Sequence, residues 1–116
     1  MERSDNYHGV VPCLRVDIVR FVDDYQPGSV ACEFADAEGL LHTIIDKAPI
    51  FTTSPLDGDS PYPLRGHARC EVVKSFQDTS GRALVQISLA RPDGLETTDG
   101  LTEHVVLAET VFLEQR

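Results

Sequence analysis

Short apolar runs, broken at regular intervals by turn residues, leave this chain few folds to choose from. Asp36-Ala37-Glu38-Gly39 separates the run at 29–35 from the run at 40–51, and Asp78-Thr79-Ser80-Gly81 separates 67–76 from 83–90. Each Asp-x-x-Gly tetrad suits a type I turn followed by glycine in the left-handed region, which closes an antiparallel hairpin over a one-residue bulge. Pro27-Gly28, Asp93-Gly94 and Asp99-Gly100 supply further turns. No window of about 11 residues keeps the i, i+3, i+4, i+7 stripe that a packed helix needs. The chain therefore reads as all-β, a small antiparallel barrel of six or so strands, with a two-sheet β-sandwich as the alternative.

Side-chain phase refines this reading. Leu14, Val16 and Ile18 alternate with Arg15 and Asp17, and then Val19 and Phe21 take over the apolar role. A bulge near Ile18–Val19 produces such a slip and bends the strand, which favours the barrel. The first Asp-x-x-Gly hairpin sets Asp36 opposite Leu40, Phe34 opposite His42 and Cys32 opposite Ile44, and turns Val30, Cys32, Phe34, Leu40, His42 and Ile44 to one face, the one expected to meet the core. The run at 101–113 has mixed phase, expected for a strand buried on both faces or for a second bulge. Residues 52–66, rich in Pro, Ser, Thr and Asp, form the one long loop. Loops of that length in compact domains are commonly functional.

At 116 residues one domain spanning 1–116 is expected, with 1–9 a flexible or extended N-terminus. Ten Lys and Arg against nineteen Asp and Glu give a net charge of −9. Such a field repels phosphate backbones and anionic membranes and speeds encounter with basic partners. The basic residues are spread along the sequence and aromatics make up only 7%. An OB-like barrel that binds single-stranded nucleic acid is therefore a weak alternative. No apolar leader opens the chain, and no segment approaches the ~18 apolar residues of a membrane span. A cytoplasmic protein with reduced Cys13, Cys32 and Cys70 is the expectation.

Chemistry-bearing patterns are sparse. There is no G-x-S-x-G elbow, P-loop, H-E-x-x-H or G-x-G-x-x-G sequence, so catalysis, a cofactor and a metal are not expected. His42, His67, His104 and Cys70 are the nearest approach to a zinc set, and Asp57-Gly58-Asp59-Ser60 falls short of a calcium loop. Cys32 and His42, on one face of the proposed hairpin, are the candidates for ligand binding if the interior holds a small molecule or sugar, with or without an enzymatic activity. The carboxylates are the stronger signal. Asp23, Asp24, Asp36, Glu38, Asp57 and Asp59 sit at turns and in the long loop, where a basic protein partner could meet them. An inhibitor of the immunity or antitoxin type, covering the positive groove of a nuclease, is one concrete form of that expectation.

Overall fold

The computed structural model describes residues 10–115; the segment 1–9, read above as a flexible or extended terminus, lies outside the described residues. Eight strands follow in chain order: β1 (Val10–Asp23), β2 (Ser29–Ala35), β3 (Leu41–Lys47), β4 (Leu64–Arg69), β5 (Glu71–Gln77), β6 (Ala83–Ser88), β7 (Glu103–Leu107) and β8 (Val111–Gln115). They form two antiparallel sheets, one ordered β3-β2-β1-β4 with β8 also on β1, the other ordered β5-β6-β7. No ladder joins the two sheets into a closed barrel among the described residues.

β1 organises the larger sheet because it is long enough to serve three partners. β8 pairs with its first half from Val10 to Leu14, and β2 pairs with its second half from Asp17 to Asp23. β4 pairs with Cys13–Ile18 on the opposite edge. The register against β2 slips between Ile18 and Arg20, where the apolar phase changes in the sequence. Leu14, Val16 and Ile18 face inward before that bulge, and beyond it Phe21 packs against the core. The β2–β3 hairpin has the expected register, with Phe34 opposite His42 and Cys32 opposite Ile44. At its tip Gly39 takes φ 85°, and the Asp36 N–H donates to the Leu40 carbonyl at 2.9 Å.

Two runs that look continuous in the sequence are broken in the fold. Residues 67–76 divide at Cys70 into β4 and β5, which belong to different sheets. Residues 101–113 divide at a 3-10 turn, Ala108–Thr110, into β7 and β8, again in different sheets. The mixed phase of the second run comes from this change of sheet, not from a bulge or from two-sided burial. Eight strands rather than six or so are the result among the described residues.

One core lies between the sheets. Leu14, Val16, Ile18, Val30, Cys32, Phe34, Ile44 and Ala68 from the larger sheet meet Val85, Ile87 and Val106 from the smaller, with Phe51, Leu89 and Leu95 from the connections. The approach is tight at Gly66, where a Cβ would stand 2.8 Å from Ile18 Cδ1 and 3.0 Å from the Phe51 carbonyl oxygen. A residue without a side chain is what lets β4 pack against β1 and the 51–53 segment at once.

Candidate functional site

A cavity of about 960 Å³ opens between the β1–β2 turn and the start of the long loop. Its apolar lining includes Phe21, Pro49 and Leu56, and Asp23, Asp24 and Asp57 supply its charge. No Lys, Arg or His is among the lining residues. Gly28 makes this shape possible: a Cβ there would meet Phe21 Cζ at 2.6 Å, so the Phe21 ring can lie directly on the turn backbone. The 3-10 turn Ala48–Ile50 closes the other side, held by the Ala48 N–H donating to the Gly28 carbonyl at 2.8 Å.

Three of the six carboxylates singled out in the sequence thus converge on one cavity. The loop that carries Asp57 is ordered by its own hydrogen bonds. The Asp59 N–H donates to Asp57 Oδ1 at 2.8 Å, and the Tyr62 hydroxyl donates to the Asp57 carbonyl at 2.6 Å. Asp59 shares that loop but is not one of the lining residues. Asp24 is exposed, with no hydrogen bond to its carboxylate among the described residues. Tyr25, next in the turn, is 78% exposed. Sequence reading missed Tyr25, Phe21, Pro49 and Leu56 as site residues, although Tyr25 between Asp24 and Gln26 in a Pro-Gly turn was a visible signal.

Asp36 and Glu38 lie elsewhere, at the tip of the β2–β3 hairpin. The Asp36 carboxylate accepts the Glu38 and Leu40 N–H groups at 2.9 and 3.1 Å and meets His42 Nε2 at 2.8 Å. Burial opposes its charge, but the bonds from His42, Leu40 and Glu38 outweigh it and hold the carboxyl below its ordinary range. Asp36 is therefore an internal acceptor. Glu38 is exposed and stands 3.7 Å from Arg82, whose guanidinium also donates to the Ala37 carbonyl at 3.0 Å and ties the two Asp-x-x-Gly hairpins together.

Cys32 and His42 share a sheet face, as read, but do not face an open interior. Cys32 is fully buried, and burial, with the Asp17 charge second, pushes its thiol up to about 12. His42 stacks on Phe34 with ring centroids 5.2 Å apart and meets His104 at 4.7 Å. His67, by contrast, lies beside Arg15 and Arg65 in a smaller pocket of about 380 Å³ on the outer face of β1 and β4. Arg15 of β1 joins Arg65 and His67 of β4 there, with Glu114 3.5 Å from His67.

The thiols follow the same logic of burial. Desolvation, reinforced by a hydrogen bond to Glu114 Oε1 at 3.3 Å, pushes Cys13 up to about 12, and burial pushes Cys70 up to about 11. All three cysteines are free and buried. We expect the folded protein at pH 8 to react with a disulfide reagent such as Ellman's far more slowly than the urea-unfolded chain, because the thiolate is the nucleophile. One thiol reacting at the unfolded rate would show a cysteine with local access and an ionisable sulfur.

A scan against protein-family models and searches of curated proteins and of solved structures find no match for this chain.

Proposed function

We propose that this protein is a non-catalytic binding module whose acidic cavity receives a cationic segment of a basic protein partner. The observation that carries the reading is the convergence of Asp23, Asp24 and Asp57 on one cavity that has no basic lining residue. Cavities of roughly 300–1,000 Å³ suit a small ligand or an inserted side chain, and apolar walls strengthen any ion pair formed within them. Phe21, Pro49 and Leu56 supply such walls for the aliphatic stem of a Lys or Arg, and the carboxylates at the rim would take its head. Exposed Tyr25 adds the kind of rigid aromatic that anchors protein interfaces. The net charge of −9 would draw in a positive surface, and Asp23, Asp24 and Asp57 would direct it to this end of the molecule. An inhibitor that covers the nucleic-acid groove of a nuclease is one partner geometry of this kind.

The direct test is titration with a hexa-arginine peptide, followed by NMR. Amide shifts confined to the β1–β2 turn and residues 48–58 are expected, and Asp24→Lys should abolish them. With a partner captured from the source cells, the association rate should fall steeply with salt. Asp24→Lys should slow association by roughly 10-fold or more while dissociation changes little. Asp24 is the informative position because its carboxylate holds no turn together. Shifts spread over the whole surface, or an association rate indifferent to both salt and Asp24→Lys, would sink the proposal.

A further inference from the structure

The smaller pocket has the opposite character to the acidic cavity. Arg15, Arg65 and His67 line its 380 Å³, and Glu114 is the one carboxylate among its lining residues. Strand register puts them together. Arg15 on β1 stands opposite His67 on β4, and Arg65, two residues before His67, shares that face as the diagonal neighbour of Arg15. Two guanidiniums on paired strands repel, and in a chain with nineteen carboxylates charge balance alone would not set them side by side. The nearby acids do not cancel them. Glu114 Oε1 already accepts the Cys13 thiol at 3.3 Å and lies 3.5 Å from His67. Asp17, 3.9 Å from Arg65, is beyond hydrogen-bond reach and outside the pocket lining. Arg15 lies over the Phe112 ring at 5.5 Å, which restrains its long side chain. On the loop side, the Thr52 hydroxyl oxygen accepts the Ser54 N–H at 3.1 Å, which leaves the hydroxyl proton to donate.

We propose that this pocket binds the phosphoryl group of a small phosphate monoester. Guanidinium forks match the oxygens of an oxyanion. Donors from β1, from β4 and from the 52–53 segment suit a tetrahedral group with several oxygens better than a planar carboxylate. The Phe112 ring would offer an apolar substituent a wall. Size and field both restrict the ligand. A pocket of this volume takes one phosphoryl group with a small substituent, whereas a polyanion would meet the net charge of −9 over the rest of the surface. Glu114 would repel a bound dianion, so it holds the affinity down and supplies a variant that should bind more tightly.

Titration of the wild-type chain with phenyl phosphate at pH 7.5 and about 20 mM salt, followed by NMR, tests this. Saturable amide shifts at residues 51–53, 65–67 and 112–114 are expected, with a Kd of about 1 mM or tighter. Arg15→Gln should weaken binding roughly 10-fold or more, because it removes a charged donor. Glu114→Gln should tighten it roughly 3-fold or more, because the amide oxygen can still accept the Cys13 thiol while the repulsion is gone. Benzoate, planar and singly charged, should bind roughly 5-fold or more weakly than phenyl phosphate. Arg15 is exposed and Glu114→Gln preserves shape, so circular dichroism should show both variants folded. No saturation by about 10 mM, shifts scattered over the surface, or benzoate binding as tightly would overturn the proposal. So would an Arg15→Gln variant that binds as well as wild type, or a Glu114→Gln variant that binds no better. The acidic cavity shares only Thr52 and Thr53 with this pocket, so this titration and the hexa-arginine titration can fail independently.

Discussion

Phe51→Ala is expected to destabilise the folded state by about 3–5 kcal/mol, a large share of the roughly 5–15 kcal/mol that holds a domain of this size together. Phe51 is the largest fully buried side chain among the described residues and sits at 0% exposure in the core. It ends the 3-10 turn Ala48–Ile50, with its N–H donating to the Ala48 carbonyl at 2.9 Å and its carbonyl accepting the His67 N–H at 3.0 Å. Truncation therefore loses the transfer of a phenyl ring and leaves a cavity that the tight contact at Gly66 restrains from collapsing. Urea denaturation should show a lower midpoint with the same slope, and thermal unfolding a fall of roughly 10 °C or more. Phe51→Leu should lie between the two. Because the long loop begins at Phe51, the variant should also bind cationic peptide more weakly before it unfolds. A loss under about 1 kcal/mol would show that Phe51 does not anchor the loop to the core.

The second large effect concerns acid. His104 is 6% exposed and lies edge-on to Phe34 at 5.1 Å, and its Nε2 has no hydrogen-bond partner among the described residues. Burial first, and then the neighbouring His42, lower its pKa below the ordinary value of 6.5, against the smaller opposing pull of the Leu101 backbone, Asp36 and Asp99. A neutral buried imidazole binds fewer protons in the folded state than in the unfolded chain. Stability should therefore begin to fall as pH drops below about 6.5 and keep falling until the folded-state value is passed.

A separate loss follows at lower pH. Asp36 is held low by the bonds described above, and Asp99 by a hydrogen bond from the Thr97 hydroxyl. Groups of this kind stabilise the fold above the usual carboxylate range near 4, and that contribution disappears as pH falls through their depressed values. Denaturation midpoints measured from pH 8 to pH 3 should show both stages. His104→Leu should flatten the first and leave the second. Stability that rises between pH 7 and pH 5 would mean that His104 is charged in the fold and paired with Asp36 or Asp99.

β2 and β3 show how much was legible without coordinates. Their register followed from Asp36 and Gly39, because a type I turn with a left-handed glycine fixes loop length and so the cross-strand partners. The bulge at Val19 was legible for a similar reason, since alternation has a period of two and any slip exposes an extra residue. Local chemistry was also enough to mark Asp24 and Asp57 as turn and loop carboxylates free of any ladder, whereas Asp23 ends β1 opposite Ser29.

The breaks at Cys70 and at Ala108–Thr110 were not legible. Neither Arg69-Cys70-Glu71 nor Ala108-Glu109-Thr110 carries a Gly or Pro to mark a turn, and only the need to cover two sheet faces divides the runs. Nor did any local pattern mark β5 as exposed, for its two valines and phenylalanine read as core until the strand order puts them at an open edge. Asp36 and Asp57 are alike in sequence, each an Asp two residues before a backbone N–H that it accepts. Yet one carboxylate is spent on His42 inside the fold and the other faces a cavity. Periodicity and turn chemistry act over a few residues and so determined the class of fold, the hairpins and the supply of surface carboxylates. The fold's placement of the β1–β2 turn and the loop after Phe51 around one cavity, two segments with no shared pattern, decided which of those carboxylates stand together.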